Sequence, residues 1–486
     1  MFKSPKNFIF IMADEHNSKT LGCYGHPIVK TPNLDLLANS GTLFRNAYTN
    51  SPVCVPARAS FATGKYIHET GNWDNASPYD GSQKGWGHRL QESGHLVTSI
   101  GKLHYTNTTD PTGFDKQISP MHTLNGQGDV FGSIREPSLP VRNQSRDLAL
   151  EIGPGETQYI KYDREIRDKS CDWIREMADE KSGKPWFLFI SFIAPHYPLI
   201  VPEEFYEMYP LDQIELPKKR KNNIDHPWWD AFEKCFTFDE HFENDEKRKI
   251  AIASYYGLCS FVDDNVGKIL AAIDENGIRE ETRIMYVGDH GDNLGARNLW
   301  GKATMYEESV SIPMIVSGEG FPENSTIDTP VSLVDCYPTI IESMGEELNE
   351  EDNDRPGDSL FSVANNSTDM SRTIFSEYHA AGSISASFMI RKNKYKYIHY
   401  VGYKPELYDM ENDPEELLDI SERQDSQKIL KEYEKILRDI LDPEKADESA
   451  KKYQRELVEA YGGREYLLKR GGINTTPAPG GEAKFT

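Results

Sequence analysis

Four runs of strand length, each followed at once by polar residues, constrain the fold of this chain more than any other feature of its sequence. They are residues 7–12, 95–100, 185–192 and 282–287. Largely apolar runs of this length are typical of parallel strands that are buried on both faces. Residues 159–180 and 246–275 show helical periodicity between these runs, and the alternation predicts an α/β fold with a mostly parallel sheet.

The polar residues that follow these runs predict the position of a binding site. In an open parallel sheet, ligands bind outside the carboxyl ends of the strands. The residues delivered to this edge are Asp14 and Glu15, Lys102 and His104, His196, and Asp289 and His290. Two adjacent carboxylates after a buried strand are costly unless a cation lies between them, and calcium-like ions favour such oxygen ligands. An ordinary acidic pair in a solvated loop is the alternative interpretation of Asp14 and Glu15.

Residues 50–64 place a cysteine where a helix is about to begin. Pro56 suits a first helical turn, and Gly64 can end the helix in the left-handed conformation. Free N–H groups and the helix dipole at this end stabilise an anion at Cys54, and Arg58, about one turn on, adds a fixed positive charge. A lone cysteine is more often a small buried core residue, so the motif needs support from the rest of the chain.

That support comes from the positive charges that accompany the acidic groups. Arg58, Lys102 and Lys302 supply these charges, and the carboxylates at the strand ends supply oxygen ligands. Each residue also has an ordinary explanation, such as a surface lysine or a hydrogen-bonded loop histidine. Their joint appearance after buried strands predicts a divalent cation that faces an anion-binding site.

The composition limits the partners of this chain. A formal net charge of −24 and an isoelectric point near 5.0 disfavour nucleic acid and anionic membrane surfaces. The six cysteines lack paired spacing, which argues against a disulfide framework or a zinc site and is typical of a reducing compartment. No apolar run is long enough to span a membrane, and residues 1–6 lack the features of a signal peptide, so we expect a cytoplasmic protein.

A length of 486 residues predicts more than one hydrophobic core. We predict an α/β catalytic domain over residues 1–365, a smaller α+β domain with a short antiparallel sheet over residues 366–470, and a tail over residues 471–486. Residues 105–158 and 210–245 are rich in loop-forming residues and are interpreted as long loops over the site. The Gly- and Pro-rich tail is expected to be mobile unless it packs on a neighbouring molecule.

Residues 54–58, Cys-Val-Pro-Ala-Arg, resemble the Cys-x-Pro-x-Arg signature of the type I sulfatases, which belong to the alkaline-phosphatase superfamily. The other motifs occur in a similar order along most of the chain, as Asp14-Glu15, Gly101-Lys102-Leu103-His104, His196 before Pro198, Asp289-His290-Gly291 and Lys302. Residues 395–398 and 406–415 are similar to the C-terminal segment of these enzymes. Residues 71–77 and 377–378 look like segments of the cytosolic choline-sulfatase branch. The resemblance implies an alkaline-phosphatase-like fold for the large domain.

The resemblance also implies two cofactors. Cys54 would be oxidised to formylglycine by a separate maturation enzyme, and the hydrate of that aldehyde would be the nucleophile. One divalent metal ion would bind beside it, with Ca²⁺ as the first choice and Mn²⁺ or Zn²⁺ as alternatives because one ligand is an imidazole. The implied metal ligands are Asp14, Glu15, Cys54, Asp289 and His290.

The same resemblance implies roles for the remaining polar residues. Arg58 and Lys102 would hold the hydrate and the ion. His104 would take a proton from the second hydroxyl of the hydrate, so that sulfate can leave. His196 and Lys302 would stabilise or protonate the oxygen of the departing alcohol.

The implied substrate is a small anionic sulfate ester, and a sulfated sugar or a small alkyl or aryl sulfate fits it best. Choline sulfate fits less well, because a quaternary ammonium group requires an aromatic cage and residues 115–158 contain no tryptophan. Candidate residues for the pocket wall are Trp73, His88, Arg89, Tyr378 and His379.

Three further hypotheses stay open at this point. A phosphonate monoester or phosphodiester hydrolase of the same superfamily would share the formylglycine and an Asp-His metal pair. A non-catalytic binding protein would retain the fold with an unoxidised Cys54. A homo-oligomer is the third hypothesis, with residues 471–486 completing the pocket of a neighbouring subunit.

Overall fold

The computed structural model describes residues 4–179, 184–219 and 226–486. Its strands are β1 (Asn7–Asp14), β2 (Gly41–Phe44), β3 (Ala47–Tyr48), β4 (Leu96–Lys102), β5 (Lys116–Met121), β6 (Ile152–Pro154), β7 (Trp186–Pro195), β8 (Leu199–Val201), β9 (Thr282–Gly288), β10 (Met314–Ser317), β11 (Ser325–Ile327), β12 (Val331–Ser332), β13 (Ile374–Tyr378), β14 (Ser387–Lys392), β15 (Tyr395–Tyr400) and β16 (Glu406–Asp409). Its α-helices are α1 (Pro32–Asn39), α2 (Cys54–Thr63), α3 (Ile67–Thr70), α4 (Trp86–Glu92), α5 (Gln144–Leu150), α6 (Gln158–Asp179), α7 (Glu203–Tyr206), α8 (Pro227–Cys235), α9 (Asp245–Glu275), α10 (Glu307–Val310), α11 (Cys336–Ser343), α12 (Leu360–Asn365), α13 (Gln427–Ile440), α14 (Pro443–Ala460) and α15 (Gly463–Arg470).

Eight strands form the central sheet, in the order β11-β2-β10-β9-β1-β7-β4-β5. The strands from β9 to β5 are parallel to one another, whereas β10 is antiparallel to both β9 and β2. The predicted mostly parallel sheet is therefore confirmed. The four strand-length runs of the sequence become β1, β4, β7 and β9, which are adjacent in the order β9-β1-β7-β4. Their carboxyl ends consequently meet at one edge.

The alternation of side chains along β1 builds a core on each face of this sheet. Ile9 and Ile11 belong to the core that includes residues of α6 and α9. Phe10 belongs to the opposite core, which includes residues of α2, α4 and α11. Because β1 is covered on both faces, residues 8–13 are fully buried, and the run is apolar without a break.

Strands β13, β14, β15 and β16 form a separate antiparallel sheet. One of its faces packs on α13, with Phe375, Ile390 and Leu437 in the same cluster. The other face packs on α8 and on Tyr306 from the segment that follows β9. This is the short antiparallel sheet that the sequence predicts for the C-terminal part of the chain.

Two segments that the sequence predicts to be long loops contain regular elements, and the prediction is wrong at these positions. Residues 105–158 include β5, which is the parallel edge strand of the central sheet, and residues 210–245 include α8. β5 is a polar and mostly half-exposed strand, so it lacks the apolar signal of a buried one. α8 has only nine residues, and its apolar face packs on the small sheet instead of the main core.

The C-terminal tail packs on its own chain, whereas the sequence predicts a mobile tail unless it packs on a neighbouring molecule. Ile473 and Ala478 are buried, and Ile473 forms a β-bridge with Phe485. Gln144 Nε2 donates a hydrogen bond to the Ile473 carbonyl oxygen at 2.7 Å, and Tyr159 Oη donates one to the Thr476 carbonyl oxygen at 2.5 Å. Composition alone could not predict this packing, because the partners lie more than three hundred residues earlier.

Candidate functional site

The carboxyl edge of the central sheet carries the predicted polar residues. Asp14 and Lys102 are the last residues of β1 and β4, His196 follows β7, and Asp289 follows β9. All four are buried, so their polar groups must be satisfied by one another or by a ligand. The adjacency of the four strands brings together side chains that are far apart in the sequence.

Cys54 lies at the centre of this edge, at the first position of α2, as the sequence predicts. Gly64 ends the helix with a φ of 70°, which is the left-handed region that glycine favours. The Cys54 Sγ atom lies 3.4 Å from Asp14 Oδ1, 3.2 Å from His290 Nε2 and 3.2 Å from Lys302 Nζ. The cysteine therefore contacts residues from three different parts of the chain.

The thiol of Cys54 is neutral, contrary to the expectation that the helix end and Arg58 stabilise a thiolate. Burial and the charge of Asp14 raise the pKa of the Cys54 thiol to about 12. Desolvation of the anion outweighs the helix dipole here, because Cys54 is buried. The site is thus poorly suited to an unmodified thiolate nucleophile.

Four of the five predicted metal ligands converge. Ligand atoms of Asp14, Cys54, Asp289 and His290 all lie within 4.8 Å of one another, and all four residues are buried. The Nδ1 atom of His290 lies 3.1 Å from the Gly291 carbonyl oxygen, which can only accept a hydrogen bond. Nδ1 therefore carries the proton, and the bare Nε2 faces Cys54. Carboxylates with one such imidazole fit a divalent cation.

The carboxylate of Glu15 lies outside this group of four. Its Oε2 atom accepts a hydrogen bond from Lys302 Nζ at 2.9 Å and lies 3.3 Å from His196 Nε2. Asp14, Glu15 and His196 form a second group whose ligand atoms lie within 4.8 Å of one another. Burial raises the pKa of Glu15 to about 8, although the charge of Lys302 partly offsets this effect. The structure thus assigns the two adjacent acids to different neighbours.

Two buried cations neutralise the carboxylates of the site. Arg58 donates from Nε to Asp289 Oδ2 at 2.9 Å and from Nη2 to Asp14 Oδ2 at 3.1 Å. Lys102 Nζ lies 2.5 Å from the same oxygen of Asp14. Burial by itself would raise the pKa of Asp14, but Lys102 and the other nearby cations hold it well below its usual range. Asp14 is therefore ionised in the interior of the protein.

A cavity opens beside the sulfur of Cys54. It is lined by Lys102, His104, His196 and Lys302, together with residues 473–476 of the tail. All six predicted catalytic residues are thus brought together, since Arg58 contacts both Asp14 and the Lys102 carbonyl oxygen from below the cavity. The tail is a wall of this cavity that the sequence does not predict.

The two histidines of this cavity, His104 and His196, are neutral, whereas Lys302 is charged. Burial, followed by the charge of Lys102, holds the pKa of His104 well below its usual range, and neither ring nitrogen has a partner among the described residues. Burial and the charge of Lys302 lower the pKa of His196 in the same way. Burial opposes the charge of Lys302, but its acidic neighbours, which include Glu15 and Asp14, hold the pKa of Lys302 well above its usual value.

Several residues of the cavity wall are absent from the sequence predictions. Tyr197 stacks on His196 with ring centroids 4.3 Å apart. Asn75, Asp129 and Arg142 line the cavity as well. Asn75 belongs to the segment 71–77 that the resemblance singles out, so a signal existed for it. The other two lie in a predicted loop and carry no local pattern.

The predicted pocket-wall residues have different outcomes. Tyr378 lines a second cavity that adjoins the first one. Trp73 packs edge-on against His379, with ring centroids 4.9 Å apart, and both residues are buried. His88 is hydrogen-bonded to a carbonyl oxygen of the chain, and Arg89 forms a buried ion pair. For these four residues the prediction of a wall is wrong, because their polar groups are used inside the protein.

Two further properties concern the whole described chain. Each of the six cysteines is a free thiol. In residues 4–179, 184–219 and 226–486, no helix combines the length and the apolar character that a membrane crossing requires.

The family model described as Sulfatase matches residues 6–346 of the chain. A second model, described as N-sulphoglucosamine sulphohydrolase, C-terminal, matches residues 295–442. The chain is 28% identical over 429 residues to a choline-sulfatase of Rhizobium meliloti (strain 1021), and the match covers 86% of this chain and 82% of that protein. It is 26% identical over 481 residues to arylsulfatase K of Bos taurus, and the match covers 93% of this chain and 84% of that protein.

Among solved structures, the phosphonate monoester hydrolase of Agrobacterium radiobacter is similar with a TM-score of 0.72 and 22% identity, over 89% of this chain and 95% of that chain. Identity at this level shows a shared fold and no more. The family match, by contrast, covers most of the chain and includes every motif at the carboxyl edge up to Lys302. The chain therefore belongs to the sulfatase family of the alkaline-phosphatase superfamily, and it is a sulfuric ester hydrolase.

Proposed function

We propose that this hydrolase works through a formylglycine at position 54 and one divalent metal ion. The observation that carries the proposal is the convergence of Asp14, Cys54, Asp289 and His290 within 4.8 Å at the start of α2. These residues would hold the ion, with residue 54 in its oxidised form. When both groups are present, the aldehyde hydrate supplies the attacking oxygen and the ion supplies positive charge to it and to the sulfate.

Arg58 and Lys102 keep the anionic ligands ionised and in place. Arg58 bridges Asp14 and Asp289 with separate nitrogens, so that neither carboxylate can rotate freely. Lys102 also lines the cavity, where its charge can face a sulfate oxygen. A net charge of −24 would otherwise repel the substrate, so the local cations determine whether it binds.

Lys302 is the group that we assign to the leaving oxygen. It is charged, its Nζ lies 3.2 Å from Cys54 Sγ, and Glu15 fixes its direction with a 2.9 Å hydrogen bond. His196 donates from Nδ1 to the Tyr197 carbonyl oxygen at 2.6 Å, so its Nε2 is without a proton when the ring is neutral. Lys302 therefore delivers the proton, and the bare Nε2 of His196, 3.3 Å from Glu15 Oε2, accepts a hydrogen bond from Glu15 when that acid is protonated.

His104 is the proposed base for the second half of the reaction. Its neutral imidazole lines the cavity beside Cys54 and has two ring nitrogens without partners in the described part of the chain. It can therefore accept a proton from residue 54 once the alcohol has left. Removal of that proton allows the sulfate to depart.

Calcium is the proposed ion, with manganese and zinc as alternatives because His290 supplies an imidazole. Oxidation of Cys54 requires a maturation enzyme as a partner. Metal analysis of the purified protein by mass spectrometry identifies the ion. A calcium content well below one per chain, with another metal in its place, would contradict the choice of calcium.

The second candidate is a phosphonate monoester or phosphodiester hydrolase, and the fold that the chain shares with such an enzyme favours it. To separate the two, the peptide that contains residue 54 is first shown by mass spectrometry to carry the aldehyde. We then expect kcat/KM for 4-nitrophenyl sulfate to exceed that for 4-nitrophenyl phenylphosphonate. The reverse preference would keep the nucleophile but overturn the sulfate assignment.

Two variants test the nucleophile itself. We expect Cys54→Ala to abolish turnover and Cys54→Ser to release about one equivalent of 4-nitrophenol per enzyme and then stop, because a serine ester lacks the second hydroxyl. Full turnover by Cys54→Ala would end the proposal. An unoxidised Cys54 with no turnover in the protein as produced would support the non-catalytic alternative.

A further inference from the structure

A second cavity adjoins the one beside Cys54. The two share five lining residues, which are Asn75, Asp129, Arg142, Tyr197 and Lys302. Lys302 contacts Cys54 on one side and lines the second cavity on the other. The alcohol part of a sulfate ester whose sulfur is held at Cys54 is therefore directed toward the second cavity.

Three buried polar atoms of this second cavity's residues have no hydrogen-bond partner among the described residues. They are Arg142 Nη1, Gln144 Oε1 and Ser145 Oγ. All three residues are buried, with Gln144 at 4% and Ser145 at 0% exposure, and the Arg142 side chain is 11% exposed. Unpaired buried groups are costly, so their presence calls for a ligand. The guanidinium donates, the amide oxygen accepts and the hydroxyl does both, which matches the hydroxyl groups of a sugar.

The charge arrangement excludes a quaternary ammonium ligand here. The Arg142 guanidinium lies over the rings of Phe131 and Phe236, at 5.7 and 5.9 Å from their centroids. Its Nη2 atom donates to Asp129 Oδ2 at 2.5 Å, which fixes it in this position. The chain's own cation thus occupies the aromatic faces that a choline group would need. The Asp129 charge compensates Arg142, so the cavity favours an uncharged polar ligand.

We propose that this second cavity binds the alcohol part of the substrate and that this part is a pyranose ring, so that the enzyme is a sulfatase of sulfated saccharides. Arg142 and Ser145 are the residues that determine this specificity, because both line the second cavity with buried polar atoms that have no partner among the described residues. The proposal rests on the function proposed above, because it assumes that sulfur is attacked at residue 54.

The first test compares substrates on enzyme that carries the aldehyde at position 54. The probes are methyl pyranosides with a single sulfate at O2, O3, O4 or O6, choline sulfate and 4-nitrophenyl sulfate. We expect at least one pyranoside sulfate to exceed choline sulfate in kcat/KM by about 100-fold, because a site built for hydroxyl groups rejects a ligand that lacks them. If 4-nitrophenyl sulfate is hydrolysed and no pyranoside sulfate exceeds choline sulfate, the saccharide inference is overturned while the proposed function stands. If no sulfate ester is hydrolysed, the proposed function itself fails.

The second test uses Arg142→Lys and Ser145→Ala. We expect each to lower kcat/KM for the best pyranoside sulfate about tenfold more than for 4-nitrophenyl sulfate, because the aryl ring makes no hydrogen bonds to these groups. Arg89→Lys is the matched control, since Arg89 is also buried and paired with an aspartate but lies outside both cavities. It should change both substrates by the same factor. Equal effects of Ser145→Ala on both substrates would overturn the inference, even if Arg142→Lys fails to fold.

Discussion

Glu15 and His104 have positive φ angles of 67° and 55°, a conformation that costs non-glycine residues about 1–3 kcal/mol. Hydrogen bonds hold both backbones in place. The Glu15 N–H donates to Asp289 Oδ1 at 3.0 Å, and the His104 N–H donates to the Met121 carbonyl oxygen at 2.9 Å. Backbone strain at these two positions aims side chains toward the site that ordinary strand geometry would direct elsewhere.

Lys302 gives the sharpest prediction at the residue scale. We expect Lys302→Met to lower kcat for alkyl sulfates by about 10²–10⁴, because a poor leaving group needs a proton. The loss should be far smaller for 4-nitrophenyl sulfate, whose leaving group is stable as an anion. The measurement is kcat across a series of sulfates whose alcohols differ in pKa.

A matched control for this variant is Lys396→Met. Lys396 is fully buried, whereas 13% of the Lys302 side chain is exposed, and Lys396 is likewise paired with carboxylates, Glu307 and Glu416, outside the site cavity. It should lower stability without changing the dependence of kcat on the leaving group. A Lys302→Met enzyme that loses the same factor for every substrate would contradict the assignment of the proton to Lys302.

The sequence identifies most of the site residues because each follows an apolar strand or begins a helix. It does not separate Asp14 from Glu15, since an acidic pair carries no information on which side chain turns toward which neighbour. Arg142 could not be predicted either, because its position depends on Asp129, on Phe131 and on Phe236 from a distant part of the chain.

At the scale of elements, the tail is a wall of the site. We expect removal of residues 471–486 to lower kcat/KM at least about tenfold, because residues 473–476 line the cavity and exclude water from it. The unfolding midpoint should fall only slightly, since Ala478 is the one residue among 471–486 that belongs to the core on α6 and α9. Steady-state kinetics and thermal unfolding of the shortened chain test this. Unchanged kinetics would show that the tail wall has no role in binding.

The contact between the small antiparallel sheet and α3 contains a pH-dependent ion pair. Glu377 of β13 contacts His68 of α3 at 2.9 Å and His379 at 2.8 Å. Burial opposes ionisation, but the two histidines lower the pKa of Glu377 to about 2. The folded pKa is below the unfolded one, so this stabilisation is present above about pH 4.5 and is lost as the pH falls toward 2.

We therefore expect Glu377→Gln to cost more stability at pH 6 than at pH 3, by about 2 kcal/mol. The measurement is the free energy of unfolding in urea at the two pH values for both proteins. Equal losses of stability at the two pH values would mean that the two histidines do not lower the pKa of Glu377 in the folded state.

Among the elements, buried strands were predictable and peripheral ones were not. β1, β7 and β9 are covered on both faces, so their sequences are largely apolar. β5 lies at the sheet edge, where half-exposed polar residues are tolerated, and it therefore resembles a loop. α8 is visible as an element only when the small sheet that it packs on is known.

At the scale of the whole molecule, the net charge of −24 opposes the approach of an anionic substrate. We expect kcat/KM for 4-nitrophenyl sulfate to rise about threefold between 10 and 150 mM ionic strength, because the screening length falls from about 30 to about 8 Å. Sodium chloride and sodium glutamate are compared, so that binding of chloride is distinguished from screening. A decrease in both salts would mean that the local cations dominate the field.

The position of the tail has a consequence for the order of events during biosynthesis. Cys54 is only 1% exposed in the folded chain, and residues 473–476 close the cavity beside it. These residues are synthesised long after residue 54, which at about 5–20 residues per second leaves a delay of roughly tens of seconds. The oxidation that we propose for Cys54 would therefore have to take place before this segment is folded. The competition between the proposed maturation enzyme and folding would then set the fraction of active molecules in a cell.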